Sequence, residues 1–473
     1  MSFVIWGGFM NELVYKYFKE ISNIPRETYH IEKISNYLVD FAKERDLYVE
    51  QDSEKNVIIK KDASPDYTNH EPIIIQAHMD MVCQKTNDSN HDFSIDPIEI
   101  IEEEGYLKAN KTTLGADNGI GIAMALSILD SDLKHPKLEV IFTVNEEVGM
   151  EGAINLDFTK LEANRLINID SEDEGILTAG CAGGVRVEVT YNGELISKEG
   201  YLYTLDISNL LGGHSGVDID KNRVNAIKCI GEFLSKINNF YLVSISGGKV
   251  DNAICDQCTI KFLLEDSFDY NALVTSINDY LKSRGENKSL VSIIEEKTTL
   301  EEFSLDSTNN IINYIYNSKN GVISYEEGLD DLVKTSLNFG TISTEKNIIK
   351  MKHSVRSSND FERDEIVQMI KDNAASINAQ IELKNPYSGW KYNENSSLRT
   401  LLEKIYKDMF DKELIINVVH AGLECGIFVG KRKNLDCVSI GPNIYGAHTP
   451  EEKVEIESVN RTYNYLIKIL ENL

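Results

Sequence analysis

The chain has 473 residues, 42% hydrophobic and 26% charged, and its 48 Lys and Arg against 76 Asp and Glu give a formal net charge of −28. That length exceeds one ordinary hydrophobic core, so two or three domains are expected. So negative a surface lacks the basic footprint that nucleic acid or an anionic membrane requires, and neither is expected as a partner.

The opening MSFVIWGGFM is apolar but short, without a basic flank or a small-residue cleavage site. It reads as the start of a structured chain and not as a signal peptide. No apolar run approaches the roughly 18 residues of a membrane span, which makes the cytoplasm the expected compartment. Apolar residues then recur at helical spacing from Leu13 to about Arg45, predicting two helices broken around Pro25.

Three short, almost wholly apolar runs follow at 72–76, 138–144 and 166–169, each ending in a polar cluster and separated by helical patterns such as 119–129. This alternation predicts an α/β fold with a mostly parallel sheet and helices on both faces. Ligands of such sheets gather outside the carboxyl ends of the strands.

From Cys181-Ala-Gly-Gly184 the texture changes to strands at 185–191, 201–207, 241–246 and 259–264, with helices at 222–237 and 270–284. A second round has strands at 290–295, 333–341 and 348–355 and helices at 310–316 and from 360. An inserted α+β domain made of two similar halves is therefore expected. After Pro386-Tyr-Ser-Gly-Trp390 the α/β texture returns, with a helix at 397–410, a strand at 414–419, a helix after 422, a strand at 436–440 and a final helix from 451. The expected division is one discontinuous domain, 1–184 and 391–473, interrupted by the insert 185–390. The seven cysteines show no disulfide framework, and the lone CxxC at Cys255 and Cys258 lacks the second pair of a structural zinc site.

The chemistry sits at the strand ends. His78 and Asp80 follow the first apolar run, and residues two apart in an extended segment point the same way. Asp80 can then fix the tautomer of a ligating His78, although a solvated Asp beside a strand-end His is the plain alternative. Asp117 in LGADNGIG suits either a helix N-cap or a bridging carboxylate, and the run does not fit GxGxxG. Adjacent Glu146 and Glu147 repel unless Glu147 binds a metal and Glu146 stays free to move a proton from metal-bound water to a departing amine. Asp170 precedes Ser171-Glu172-Asp173-Glu174, and spacing leaves open which of these acids would bind a metal. His448 lies on a loop near the C-terminal end. Two imidazoles and three carboxylates are what a pair of zinc-like ions needs if one carboxylate bridges them.

In the insert, LLGGHSG presents His214 in a glycine turn, either an ordinary turn or one aimed at a substrate oxyanion. It is not a GxSxG nucleophile elbow, because Val217 stands in place of the last glycine. Arg356 is either a surface arginine or a bidentate grip for a carboxylate.

The joint order HxD, GADNG, NEE, DSE and a late HTP around an inserted GGHSG resembles the di-zinc metallopeptidases of the carboxypeptidase G and carnosinase type. Within that clan, QAHMDMV, LGADNGIGIA, FTVNEEVGMEGA, LINIDSEDEG, LLGGHSG and HAGLECGIF resemble the bacterial aminoacyl-histidine (cytosol non-specific) dipeptidases over essentially the whole chain. The resemblance implies that His78 and Asp170 hold one zinc and Glu147 and His448 the other, with Asp117 bridging. It implies that Asp80 orients His78 and that Glu146 is the general base and acid.

The insert is then a lid in which His214 polarises the scissile carbonyl, Asn252 contacts substrate and Arg356 takes the substrate's C-terminal carboxylate. His420 and Glu424 resemble pocket residues. The implied activity is hydrolysis of short peptides such as Xaa-His dipeptides through a hydroxide activated by two divalent ions, zinc first, with cobalt or manganese as the other fits. The same centre serves N-acyl and N-carbamoyl amino acid amidohydrolases, the alternative reading, and a non-catalytic scaffold is opposed by the complete residue set. His214 would act within one chain through a doubled lid, or across the interface of a homodimer.

Overall fold

Consecutive residues of a strand face opposite sides of its sheet, so a strand buried at every position is covered on both faces. Ile73–His78 and Leu138–Thr143 are buried throughout. They lie in an eight-stranded sheet of order Tyr48–Gln51, Val57–Lys61, Leu138–Thr143, Ile73–His78, Arg165–Asn168, Asp436–Ser439, Ile176–Cys181, Ile415–Val419. Parallel pairing joins the four strands from Leu138–Thr143 to Asp436–Ser439. Val57–Lys61 and Ile176–Cys181 flank them in antiparallel pairing. The expected α/β sheet is thus present, with its parallel pairing concentrated at the centre. The computed structural model describes residues 11–326 and 329–473, and the opening MSFVIWGGFM lies outside the described residues.

The helix Ala116–Leu129, made of small and apolar residues on every side, is buried along almost its whole length and packs on Ile73–His78. Amphipathic helices Glu12–Ser22, Glu32–Lys43 and Ile456–Leu470 add their apolar faces to the same core through Val14, Phe18, Leu38 and Leu466. The last helix starts later than its pattern predicts, because Lys453–Glu455 is taken into a strand against Tyr106–Ala109.

The described chain forms two compact units. One holds the residues through Cys181 together with Trp390–Val418 and Leu423–Leu473, and the other holds Ala182–Gly389 and Val419–Gly422. The second unit is built on a nine-stranded sheet with its own apolar core. Its first four-strand set reads Leu290–Phe303, Leu195–Ser208, Cys258–Leu264, Tyr241–Gly247, with helices Ala226–Leu234 and Asn271–Ser283 in the chain between strands. Its second set reads Leu329–Glu345, Ile348–Ser357, Gly183–Asn192, Gln380–Tyr387, with helices Leu305–Asn317 and Asp360–Ser376. Leaving aside the ninth strand, Gly321–Glu326, which pairs with Leu329–Glu345, each set numbered in chain order is βαββαβ with strands arranged 4-1-3-2, read from opposite ends.

Candidate metal centre

The site of the first unit forms where the parallel strands end. His78 closes Ile73–His78 with its ring 1% exposed. Its Nε2 lies 3.0 Å from Asp117 Oδ1 and 3.2 Å from Asp170 Oδ1. Asp117 sits at the entry to the buried helix, and its other oxygen, Oδ2, lies 3.0 Å from His448 Nε2. His448 Nε2 is also 3.0 Å from Glu147 Oε2. The antiparallel pair Ile444–Tyr445 and Lys453–Glu455 carries His448 on its connecting loop, which anchors a ring that is itself half exposed.

Ligand atoms of His78, Asp117 and Asp170 lie within 4.8 Å of one another, and so do those of Asp117, Glu147 and His448. Asp117 belongs to both groups, one oxygen toward each imidazole. Glu146 also falls in such a group with His78 and Glu147, so distance alone does not separate Glu146 from the ligand atoms.

Electrostatics reflect the crowding. Burial raises the Glu146 carboxyl well above its ordinary range, with Asp170 and Glu147 as like-charged neighbours and His78 opposing. Burial likewise raises Glu147 and Asp170. Burial also works upward on Asp117, but hydrogen bonds from His448 and His78 outweigh it and hold that carboxyl below the usual range. Hydrogen bonds to Asp117 and Glu147 push the His448 imidazole up to about 11. Buried carboxylates this dense require compensating positive charge. Glu147 Oε1 is buried with no hydrogen-bond partner among the described residues. Imidazole nitrogen and carboxylate oxygen in this mixture are the donors that zinc-like divalent cations take, so the residues present fit such ions.

Asp80, fully buried, faces His78 Nδ1 at 3.6 Å and accepts the hydroxyl of Thr28 at 2.9 Å. Beneath the ligands a polar chain crosses the parallel strands. Gln76 bonds Thr143 at 3.0 Å and Asn168 at 2.6 Å, and Asn168 accepts the Ser439 hydroxyl. Glu424, 1% exposed, accepts from Gln76 at 2.6 Å and from Thr143 at 2.8 Å.

The remaining candidates belong to the second unit. Gly213–His214 pairs with Ala253–Ile254, and the Asn252 carbonyl accepts the Ser215 N–H at 2.8 Å, so His214 and Asn252 share one local ribbon. Gly216 donates its N–H to His214 Nδ1 at 3.2 Å. A Cβ at Gly216 would stand 2.7 Å from the His420 carbonyl oxygen, a close approach that only glycine permits. His420 Nε2 pairs with the Ser336 hydroxyl at 2.7 Å. Arg356, 9% exposed, bonds the Tyr387 hydroxyl at 3.4 Å while its Nε has no partner among the described residues. Burial first and Arg356 second lower both imidazoles, His420 to about 3. His214, Arg356 and His420 therefore lie within electrostatic reach of one another.

Sequence patterns do not signal Arg26 or Glu452, two buried charged residues beside the Asp117 segment. Both act on backbone groups, which no residue spacing encodes. The only trace is a doubled acid after His448 in HTPEE.

The pattern of Peptidase family M20/M25/M40 matches residues 74–472. The cytosol non-specific dipeptidase of Escherichia coli (strain K12) is 36% identical over 470 residues, 96% of each chain. The crystal structure of an aminoacylhistidine dipeptidase from Vibrio alginolyticus superposes with a TM-score of 0.88 at 34% identity, over 98% of this chain and 97% of that one. An aminopeptidase from Bacillus cereus ATCC 10987 shares the fold with a TM-score of 0.58 at 16% identity, over 98% of each chain.

Proposed function

The chain belongs to peptidase family M20/M25/M40, and from that premise we propose that it is a cytoplasmic, metal-dependent dipeptidase that hydrolyses short peptides such as Xaa-His dipeptides. The observation that carries this reading is Asp117, whose two oxygens each stand 3.0 Å from a different imidazole, His78 and His448. The names of the Escherichia coli and Vibrio alginolyticus relatives, both dipeptidases, support the substrate class.

His78 and Asp170 would hold one ion and Glu147 and His448 the other, with Asp117 between them. Zinc is our first choice, and cobalt and manganese suit the same donors. When bound, the ions lower the pKa of water and polarise a carbonyl.

The rest is the work of side chains. Glu146 takes a proton from the attacking water and delivers it to the departing amine. A carboxyl raised by burial suits both transfers near neutral pH. Asp80 holds the His78 ring from the Nδ1 side, with its main-chain carbonyl 3.1 Å and its carboxylate 3.6 Å from that nitrogen. His214 accepts the Gly216 N–H at Nδ1, and burial keeps its ring neutral, so its proton resides on Nε2, ready to be donated to a substrate carbonyl oxygen. Arg356, whose Nε has no partner among the described residues, would take a C-terminal carboxylate, with Asn252 and His420 as further substrate contacts. The insert 185–390 thereby supplies most of the substrate-binding groups. A homodimer is the assembly we propose, and sedimentation of the purified chain tests it.

The test is amino-acid release from a dipeptide panel that includes β-alanyl-histidine and N-acetyl-capped controls, with and without chelator and added zinc. Cleavage of free dipeptides alone, abolished by chelator, is expected. Cleavage of capped substrates alone would replace this reading with an amidohydrolase.

A further inference from the structure

Arg26 and Glu452 take no part in the chemistry above, yet both are nearly inaccessible, 1% and 2% exposed. A buried carboxylate is costly unless its oxygens are fully bonded. Glu452 meets that condition entirely with backbone. Its Oε2 accepts the N–H groups of Leu114 at 2.8 Å and Gly115 at 2.9 Å. Its Oε1 accepts those of Ala116 at 2.8 Å and Asp117 at 3.3 Å. These donors open the helix Ala116–Leu129, whose cap residue Gly115 supplies no side-chain bond of its own. The orphan N–H groups of that helix are thus satisfied by a carboxylate from a distant part of the chain.

Arg26 holds the same segment from the other side. It donates to the Gly115 carbonyl, and its Nη1 donates to the carbonyls of Met79 and Asp80, each at 3.2 Å. Gly115 is therefore gripped at its N–H by a carboxylate and at its carbonyl by a guanidinium. It adopts φ +68°, and a Cβ there would meet Arg26 Nη2 at 2.4 Å. Attraction to Glu452 is the largest influence opposing the desolvation of Arg26. The pair also spans the ligand segments. Arg26 reaches the strand end that carries His78 and Asp80, and Glu452 follows His448 in the same loop, donating its N–H to the Thr449 carbonyl at 3.1 Å.

We propose that Arg26 and Glu452 are positioning residues that clamp residues 114–117 and thereby set the Asp117 carboxylate between the two ligand groups, so that both ions are held together. The proposal rests on the two-ion reading above. A carboxylate that must face two imidazoles 3.0 Å from opposite oxygens tolerates little rotation, and four backbone bonds to one side chain remove that freedom.

The test uses the full-length chain as Glu452→Gln. The amide preserves size but turns an N–H2 group toward two backbone donors. Zinc stoichiometry and both dissociation constants are read by chelator competition, beside kcat, KM and the thermal midpoint. Expected is a folded protein whose weaker zinc site loses about 10–100-fold in affinity. Its kcat should fall at limiting zinc with KM unchanged, and excess zinc should restore most of the activity. Arg26→Lys keeps the charge without the fork. It should shift the same zinc constant in the same direction, and it decides the matter if Glu452→Gln does not fold. Two wild-type zinc affinities in a folded variant, with only the midpoint lowered, would overturn the clamp and leave the two-ion reading standing. A wild-type protein that binds one zinc would overturn the two-ion reading and the clamp with it.

Discussion

Asp80 Oδ1 accepts the backbone N–H of Glu146 at 3.1 Å. The second oxygen of the same carboxylate accepts the N–H of Glu147 at 3.3 Å. A residue two positions beyond His78 on one strand therefore fixes the turn that carries Glu146 and Glu147 on the next. Burial alone would raise the Asp80 carboxyl, but the adjacent His78 ring and the bonds from the Glu146 N–H and the Thr28 hydroxyl hold it below the ordinary range, and it stays ionised. Asp80 thus does more than face an imidazole, since it ties the segment of the proposed ligand His78 to the turn of the proposed base.

Asp80→Asn is expected to lower kcat by about 10–100-fold with KM near wild type, because the amide can satisfy only one of the two turn N–H groups. Steady-state kinetics at saturating zinc check this. Wild-type kcat in that variant would remove Asp80 from the working site.

Glu146→Gln is expected to keep zinc and fold while losing roughly 10²–10⁴-fold in kcat. A base must be deprotonated to act, so wild-type kcat/KM should rise with pH through a carboxyl pKa above the ordinary 4.5. That acid limb should be missing from the residual activity of the variant. An unchanged limb would assign it to another group.

The strand-end motifs are legible in sequence because the proposed metal ligation and proton transfer demand particular side chains, and His78, Asp117, Glu147, Asp170 and His448 each follow a recognisable apolar run or glycine turn. Less legible is what depends on distant pairing. The short strands Tyr48–Gln51, Val57–Lys61 and Tyr106–Ala109 carry too few residues for a periodic signal, and only their partners make them strands. Leu290–Phe303 extends well past its apolar start at 290–295, because Leu195–Ser208 pairs with it along its whole length. Ala226–Leu234 starts inside its apolar pattern, where Asn225 caps Ile227 and Lys228. Arg26 and Glu452 escape for a different reason: they recognise backbone, and backbone groups are the same at every residue.

Chelation is expected to lower the thermal midpoint, since Asp117, Glu147, Asp170 and their neighbour Glu146 then face one another with the imidazoles of His78 and His448 left to oppose their repulsion. Any ligand that binds only the folded state stabilises it by mass action, about 2.7 kcal/mol at a free concentration one hundred times its dissociation constant. Calorimetry of the chelated protein against a zinc titration measures this. A midpoint indifferent to zinc would mean that no ion binds the folded chain.

Glu424 offers the cleanest dependence of stability on pH. Its Oε2 takes two hydrogen bonds and its Oε1 has no partner among the described residues. Burial, aided by the negative charge of Asp170 and opposed by His78, pushes its carboxyl from the ordinary 4.5 up to about 8. The folded chain thus keeps a proton that the unfolded chain releases above pH 4.5. Where the folded state binds more protons, stability falls as pH rises, by up to about 1.4 kcal/mol per pH unit for one group. The contribution is complete below pH 4.5 and is lost as pH rises to about 8. Glu424→Gln, neutral throughout, removes that slope. Bound cations would add their own charge to the balance, so the comparison belongs to chelated protein. Urea unfolding between pH 5 and 8 should show the variant gaining on wild type as pH increases. Parallel curves would mean that Glu424 is already ionised in the folded chain and that its unpaired oxygen is compensated by another group.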